Sequence, residues 1–388
     1  MRPVLTILAV WAAGLGAAAQ FGKISVLFAE LGRSYAGHSV VALGLIVSIV
    51  GIIGLVFGTT AGLFVARIGP RRAIVAALAM GAGMSALQSL GLSYPVMIAS
   101  RVVEGVSHLA IVVVGPTVIA GLATDRYRGL AMTLWSTFFG VTYALLALFA
   151  PGLIAAKGAA GVFIAHAAWM ACSAAILILL LPRDPVGVRS GDGAGVLAQH
   201  LTIYRSPRLA APAMGFFCYT FLYVAVLTLL PPQVPLAERG LVAAGMPLIS
   251  ILVSLTLGVW LLGRMTAVRL VQTGYALAMP GFVVLGLAWG NGAAMAAGAL
   301  WLAGALGLVQ GASFASIPEL NLTADSRSRA AGAVAQLGNL GTTTGTPVLA
   351  AVLADAGPAG LVGVALVACS FGIGLHALQA VRRQTRST

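Results

Sequence analysis

The sequence predicts an all-α membrane protein with twelve transmembrane helices, arranged as two six-helix pseudo-repeat bundles. Three observations lead to this fold class: the composition, the recurrence of apolar stretches of membrane-crossing length, and a repeat between the two halves. Hydrophobic residues make up 60% of the 388 residues, charged residues make up 8%, and the mean hydropathy is +1.02. Because a soluble domain carries about 25% charged residues, the composition excludes one.

The apolar stretches are each long enough to cross a membrane as a helix. About 20 residues in helical conformation span a hydrocarbon core of roughly 30 Å. The abundant glycine and alanine suit close packing between such helices. The twelve predicted spans lie near residues 4–28, 39–65, 73–92, 95–122, 129–155, 160–181, 209–232, 242–263, 270–289, 292–318, 330–354 and 358–381.

A long polar segment separates six predicted spans from the other six. We therefore expect an N-terminal bundle at 1–182, a cytoplasmic linker at 183–208 and a C-terminal bundle at 209–388. The halves also match at offsets of 199 to 202 residues, which predicts two bundles in the same orientation around a central site. The matched pairs are Pro116 with Pro318, Thr124 with Thr323, Arg128 with Arg329, and Gly140 with Gly341.

The loop charges predict the orientation in the membrane. With a cytoplasmic N-terminus, 17 loop and terminal arginines lie inside, and only Arg33, Lys157 and Arg239 lie outside. This bias predicts that both termini are cytoplasmic. It also accounts for the net charge of +13, and because the arginines are spread over many loops they form no nucleic-acid groove. The first twenty residues resemble a secretory signal, but the apolar stretch continues past the cleavage-like Ala17–Ala19, so we expect no cleavage.

The loop between the second and third predicted spans combines glycines with arginines. Gly69 and Pro70 predict a tight turn, and the arginines are expected to pair with acids or helix C-termini. The pattern resembles the signature loop of the major facilitator superfamily, G-x-x-x-D-R-x-G-R-R, with Ala66 at the aspartate position. The resemblance implies that this loop latches the two halves on the inner side, with one interaction missing. The gating residues would be Gly62, Arg67, Gly69, Arg71 and Arg72.

The fourth predicted span carries a second pattern of the same family. Arg101, Gly105 and Ser107 are similar to the family pattern R-x-x-x-G-x-G, with serine in place of the last glycine. Spacings of three and seven residues put Arg101, Glu104 and His108 on one face of the helix. Family architecture implies that the first, fourth, seventh and tenth spans line a central cavity.

Three charged residues fall inside predicted spans, where charge is costly unless it faces a partner or water. At 1.5 Å per residue, Lys23 and Arg101 each lie roughly 10 Å outside the midplane, with Glu104 slightly deeper. We expect this layer to be accessible from the cavity. Glu104 is predicted to carry a proton, and Lys23 and Arg101 to bind an anionic substrate. The alternative for Arg101 and Glu104 is an ion pair that only neutralises buried charge, and Lys23 could instead extend to the outer interface.

Several neutral side chains are further candidates for substrate binding. His108 could titrate or bind substrate, although an interior histidine is commonly hydrogen-bonded, and we expect His166 to be structural. Tyr219 and Tyr223, one turn apart, could stack on a substrate or pack as ordinary aromatics. The remaining candidates, which could equally join helices to one another, are Gln310, Gln336 and Asn339.

Sulfur ligands on the seventh predicted span raise a separate possibility. Met214 and Cys218 share a helix face, Met246 lies early in the next span, and soft ligands suit Cu(I). The sequence of this helix faintly resembles that of the superfamily branch of bacterial copper importers and riboflavin transporters. Because the paired Met and His/Met motifs of a copper importer are incomplete, we assign no metal site and no cofactor.

The sequence thus predicts a secondary active transporter and not an enzyme, since it has no Walker-type nucleotide loop. We expect a small, anionic organic solute to cross a bacterial inner membrane by alternating access, through proton-coupled import. The alternatives are proton-coupled drug or metabolite efflux, copper or riboflavin uptake, and a non-transporting receptor or scaffold. The expected partners are the solute, protons and the lipid bilayer, without nucleic acid, and the chain is expected to act as a monomer.

Overall fold

The computed structural model describes residues 2–61, 65, 68–124, 131, 134–183 and 196–385. These residues form helices joined by short connections, and no strand occurs among them. The helices are α1 (Arg2–Val26), α2 (Phe28–Ser34), α3 (Val40–Ser48), α4 (Ile52–Phe57), α5 (Pro70–Gln88), α6 (Tyr94–Leu122), α7 (Phe138–Leu180), α8 (Val196–Arg205), α9 (Ala210–Leu229), α10 (Leu236–Val253), α11 (Val259–Leu262), α12 (Ala267–Leu287), α13 (Gly292–Leu320) and α14 (Ala324–Gln384).

Nine helices within the described part of the chain are long and apolar enough to cross a membrane. The prediction of an all-α, multi-pass membrane protein is therefore confirmed, whereas the count of twelve spans stays a prediction. Two of the nine are too long for one crossing: α7, with 43 residues, and α14, with 61, would extend roughly 65 and 90 Å if straight. Each contains a glycine with non-helical backbone, Gly158 (φ 61°, ψ −164°) and Gly357 (φ 62°, ψ −158°), which divides it into two arms.

The chain divides into two compact units. Unit 1 comprises Met1–Gly37 and Ile49–Gly193, and unit 2 comprises His38–Ser48 and Ala194–Thr388. Helix α3, which precedes the predicted linker, groups with unit 2, where a Cβ on Gly44 would lie 2.8 Å from the Cα atom of Pro347. The predicted bounds at 182 and 209 stay predictions.

Local structure recurs between the units in the way that the sequence repeat predicts. Gly91 and Gly290, 199 residues apart, both have positive φ, and Gly158 and Gly357 share one backbone conformation at the same offset. Pro116 and Pro318 both lie inside long helices. These matches extend the sequence repeat to backbone geometry.

Close helix contacts recur as well. A Cβ on Gly105 of α6 would lie 2.4 Å from the carbonyl oxygen of Val50 in unit 1. In unit 2, a Cβ on Gly307 of α13 would lie 2.2 Å from the carbonyl oxygen of Ser250. Only glycine allows such an approach between backbones. The two units therefore share a scaffold in which a glycine at an equivalent position brings two helical segments into contact.

The interior of unit 1 is formed by α1, α5, α6 and α7. Its apolar cluster includes the fully buried side chains of Ile74, Leu78, Ile111, Met170 and Leu177. Because the four helices approach closely on small residues and aliphatic side chains, any polar group between them is removed from lipid and water. This arrangement positions the polar site described next.

Candidate functional site

Polar side chains from four helices meet inside unit 1. We call this set the charged cluster; its members are Lys23 of α1, Ser85 and Gln88 of α5, Arg101 and Glu104 of α6, and His166 of α7. Lys23, Arg101 and Glu104 are each 0% exposed. The expected accessibility from a cavity is therefore wrong for this structure, in which the charges face α5 and α7 inside the unit.

Glu104 is the centre of the cluster. Its Oε1 atom accepts a hydrogen bond from Lys23 Nζ at 2.6 Å. Its Oε2 atom accepts from Arg101 and, at 3.0 Å, from Gln88 Nε2. An oxygen pair surrounded by three donors, two of them cationic, is a carboxylate. The predicted pairing of Arg101 with Glu104 is thus present, and Lys23 joins the same carboxylate.

Lys23 has one partner for each of its ammonium protons. Besides Glu104, Nζ lies 3.0 Å from Ser85 Oγ and 3.2 Å from His166 Nδ1. An ammonium group has three N–H donors and no acceptor. Lys23 is therefore fully hydrogen-bonded inside the unit and does not extend to an interface.

The contacts of His166 determine its tautomer. Nε2 lies 2.9 Å from the carbonyl oxygen of Gly16, so it must donate and carry a hydrogen. Ser85 Oγ donates to the carbonyl oxygen of Phe163 at 3.0 Å, which leaves Lys23 as the donor to Nδ1. With Lys23 as an ammonium, His166 is consequently a neutral imidazole whose Nδ1 atom accepts a hydrogen bond from Lys23.

His166, Ser85 and Gln88 were not among the predicted site residues. Helix periodicity places residues on a face of their own helix but does not identify the neighbouring helix. Depth in the membrane is a signal that links His166 to Lys23. His166 lies six residues, roughly 9 Å, from the outer end of its predicted span, and Lys23 lies five residues, roughly 8 Å, from the outer end of its own. A search for polar residues at equal depth would have found this histidine.

His108 lies beside the cluster and has different partners. Its Nδ1 atom is 3.0 Å from the carbonyl oxygen of Ala17, and its ring meets Phe21 edge to face at 5.0 Å. One turn along α1 from Ala17, Gln20 Nε2 donates a hydrogen bond to Ser107 Oγ of α6 at 2.9 Å. The predicted substrate contact of His108 stays a prediction, and in this structure the ring joins α6 to α1.

The charges of the cluster do not cancel. Lys23 and Arg101 contribute two positive charges and Glu104 one negative, while His166 is neutral in the hydrogen-bonding pattern above. A net charge of +1 is thus held on three charged side chains that have no exposed surface. Removing charge from water costs several kcal/mol per ion unless pairing compensates. The cluster thus holds one excess positive charge inside unit 1.

The aromatic candidates of unit 2 stack on one another. The rings of Tyr219 and Tyr223 lie 4.9 Å apart with planes 23° apart, and Phe216 continues the stack at 5.3 Å. The Tyr219 hydroxyl is buried and has no hydrogen-bond partner among the described residues. Tyr219 and Tyr223 both stay predicted substrate residues.

The amide candidates of unit 2 mostly serve local structure. Gln336 accepts from the Tyr204 hydroxyl at 2.7 Å, and its Nε2 atom lies 2.9 Å from His200 Nε2, so it holds helix α8. Asn339 donates to the carbonyl oxygen of Ala335 in its own helix at 2.8 Å. Gln310 is half-buried in α13. The substrate-binding role of all three stays a prediction.

The predicted latch loop is partly described. Gly69 precedes α5 with φ 94°, a conformation that favours glycine, and Pro70 begins the helix. Arg71 donates to the carbonyl oxygen of Ile178 in the last turn of α7 at 2.8 Å, which is the expected pairing with a helix C-terminus. Gly62 and Arg67 lie outside the described residues, and the gating role of this loop, including Arg72, stays a prediction.

The sulfur candidates are buried or half-buried in unit 2. Gln379 Nε2 contacts Met214 Sδ at 3.0 Å, and Cys218 and Met246 are buried. Within the described ranges, no group of three or more His, Cys, Asp or Glu side chains could hold a metal ion. Nothing in this geometry favours copper over an organic solute.

Known proteins match this chain in sequence. The family model described as Major Facilitator Superfamily matches residues 6–346. The inner membrane transport protein YajR of Escherichia coli (strain K12) is 27% identical over 213 residues, which cover 55% of this chain and 46% of that protein. The chain therefore aligns with about half the length of this curated relative.

Solved structures match in fold. Two crystal structures of a bacterial homologue of the human lysosomal transporter Spinster, both inward-facing, superpose with TM-scores of 0.74 (unoccupied) and 0.75 (occupied). The matches cover 97% and 98% of this chain and 97% of each structure, at 14% and 15% identity. At this identity the likeness concerns the fold alone.

Proposed function

The chain belongs to the Major Facilitator Superfamily, and from this premise we propose that it moves a small organic anion by alternating access, driven by protons. It is a multi-pass membrane transport protein and not an enzyme. The substrate class, the coupling ion and the direction are our proposals. We place it in a bacterial inner membrane with both termini cytoplasmic, and we propose import.

Coupling is supported chiefly by the charged cluster. Glu104 joins Lys23 and Arg101 across α1 and α6, and Gln88 and His166 extend the hydrogen bonds to α5 and α7. A change in one proton alters the bonds between all four helices. The cluster therefore has what coupling needs: an ionisable group whose charge state changes helix contacts.

The net charge supports an anionic solute. In the present geometry every Lys23 donor is in use, so an anion could bind Lys23 only by replacing Glu104 or another partner. When the cluster opens, a solute carboxylate would meet a site with an excess positive charge, which favours anions. Tyr219, with its unpartnered hydroxyl, is the unit 2 group that we propose contacts the solute.

The first experiment identifies the solute. Purified protein is screened against organic anions, cations and neutral solutes by thermal unfolding, since a ligand that binds the native state raises its stability. A stabilising anion supports the proposal. Stabilisation only by cations or by copper would contradict the anionic assignment.

The second experiment tests coupling with the solute found. In proteoliposomes, an imposed pH gradient should drive accumulation by the wild-type protein. Glu104→Gln should abolish accumulation and keep exchange of solute between the two sides. Glu30→Gln is the matched control, because Glu30 forms a surface ion pair with Arg33 at 2.7 Å, which contributes little. Full gradient-driven accumulation by Glu104→Gln would show that coupling does not require the Glu104 carboxylate.

A further inference from the structure

We propose that the transported proton is held by the Lys23–His166 pair, with Ser85 as a switching hydrogen-bond partner, and not by Glu104. This inference deepens the proposed function and rests on its proton coupling. It follows from two independent features of the cluster, its charge and its hydrogen-bond capacity.

The first feature is charge. With Lys23 and Arg101 protonated and Glu104 ionised, the cluster carries +1. Protonation of Glu104 would raise this to +2 and would leave two buried cations without an anion. Loss of a proton from Lys23 would lower it to zero and leave the Arg101–Glu104 ion pair intact. Because isolated charge is disfavoured away from water, the low-cost change is at Lys23.

The second feature is hydrogen bonding. A protonated Glu104 retains acceptor sites for Lys23, Arg101 and Gln88, but its new O–H group would face their N–H donors in the present arrangement. A neutral Lys23 keeps two N–H donors, which can serve Glu104 Oε1 and His166 Nδ1. Its lone pair then needs a donor, and the Ser85 hydroxyl is 3.0 Å away.

Ser85 is placed to supply that donor. Its Oγ atom lies 3.0 Å from Lys23 Nζ, 2.9 Å from His166 Nδ1 and 3.0 Å from the carbonyl oxygen of Phe163. Rotation of the hydroxyl hydrogen from Phe163 to Lys23 satisfies the neutral amine without moving a heavy atom. Both protonation states of the pair are thus fully hydrogen-bonded.

The proton can also pass within the pair. A Lys23 N–H bond breaks, its electron pair stays on Nζ, and the proton bonds to the lone pair of His166 Nδ1, 3.2 Å away. The imidazolium then donates through Nδ1 to Lys23 or Ser85, while its Nε2–H remains on the Gly16 carbonyl oxygen. The proton leaves to water when transport opens the cluster to one side.

The other titratable neighbours are committed elsewhere. Arg101 approaches Glu104 on the oxygen that Lys23 does not contact. His108 is bonded to Ala17, and the Tyr143 hydroxyl lies 3.1 Å from Ser25 Oγ. Among the described residues, Lys23 hydrogen-bonds Glu104, His166 and Ser85, so His166 is the ionisable acceptor besides Glu104.

Nitrogen NMR can observe the pair without any solute. The sequence contains two lysines, Lys23 and the exposed Lys157, so protein labelled with 15N at Nζ gives two signals, which Lys157→Arg assigns. We expect the Lys23 signal to change from ammonium to amine as pH rises within the range where the protein stays folded. The 13C carboxyl signal of Glu104, assigned with Glu104→Gln, should remain that of a carboxylate throughout. A permanently ammonium Lys23, or a titrating Glu104, overturns the proposal.

A conservative variant tests the same point in transport. Lys23→Arg keeps a positive charge beside Glu104 but cannot release a proton. We expect solute exchange to continue while pH-driven accumulation falls at least tenfold. Retained accumulation with arginine would mean that only the charge matters. If Lys23 titrates in the NMR experiment but wild-type protein accumulates no solute under a pH gradient, the proposed coupling is wrong and the proton site stands. If wild-type protein accumulates solute but Lys23 does not titrate, only the proposed proton site is wrong.

Discussion

Unit 1 and unit 2 share a scaffold but differ in what they bury. At the 202-residue offset set by Pro116 and Pro318, Arg101 and Glu104 correspond to Ala303 and Leu306. At the 201-residue offset of Gly140 and Gly341, Lys23 aligns with Val224. At the 199-residue offset of Gly158 and Gly357, His166 aligns with Ala365. All four counterparts in unit 2 are buried apolar residues.

This difference distinguishes the features that the fold requires from the features that serve another purpose. The contact glycines Gly105 and Gly307 and the backbone breaks at Gly158 and Gly357 are present in both units. The charged cluster is present in unit 1 and has no counterpart at the equivalent positions of unit 2. Since unit 2 buries aliphatic side chains at the equivalent positions, helix packing of this kind does not require the cluster. The charged cluster is therefore better explained by function than by stability.

The largest expected effect comes from breaking the cluster at its centre. Glu104→Leu introduces the residue found in unit 2 and leaves Lys23 and Arg101 buried without their carboxylate. We expect a loss of about 3–5 kcal/mol in the free energy of unfolding, measured by thermal or denaturant unfolding in detergent.

The matched control for this variant replaces the whole ion cluster. Lys23→Val, Arg101→Ala and Glu104→Leu together reproduce the counterparts of unit 2, and such replacements of buried ion networks are often neutral or stabilising. We expect this triple variant to unfold near the wild-type midpoint and to lose pH-driven accumulation. A triple variant as unstable as Glu104→Leu would mean that unit 1, unlike unit 2, depends on its charges to fold.

A smaller effect should be shared by both units. Gly105→Ala and Gly307→Ala each place a methyl group against a backbone carbonyl oxygen, 2.4 and 2.2 Å away before relaxation. We expect each to lower the free energy of unfolding by a similar amount, about 1–3 kcal/mol. Gly83→Ala and Gly363→Ala are controls, because a Cβ there meets no atom within 4 Å. Strongly unequal losses at the two contact glycines would weaken the claim of a common scaffold.

The smallest effect concerns the polar contact between α8 and α14 in unit 2. Tyr204→Phe removes the hydrogen bond to Gln336, at a cost of about 1 kcal/mol at neutral pH. Burial raises the pKa of Tyr204 from 10.0 to about 12. Because the folded pKa is the higher one, the stabilisation is complete below pH 10 and declines as pH rises from 10 through 12. Unfolding midpoints of the two proteins should therefore converge over that range; a constant difference would contradict this assignment.

The sequence predicts the class of the fold well, because hydrophobic length and loop charge are local properties. It also identifies Lys23, Arg101 and Glu104, since charge inside an apolar span is conspicuous in any sequence. It does not identify His166 as a partner of Lys23, because that contact depends on how α7 packs against α1, which periodicity along one helix does not contain.

The structural contacts of Gln336 are absent from the sequence prediction for a related reason. Gln336 is predicted to bind substrate from its depth alone, yet it holds Tyr204 and His200 of α8. Helix α8 falls in the predicted linker, and the sequence does not indicate which span this segment contacts. A polar residue in a span is informative about function only after the neighbouring elements have been assigned.

The single-residue breaks at Gly158 and Gly357 have a consequence for biogenesis. Each joins two helical arms of about 20 residues or more, and no residues are available for an intervening loop. Two arms tied this closely stay adjacent at their shared end throughout synthesis. We therefore expect each pair to be inserted together as a helical hairpin, so that a weakly hydrophobic arm is carried into the bilayer by its partner.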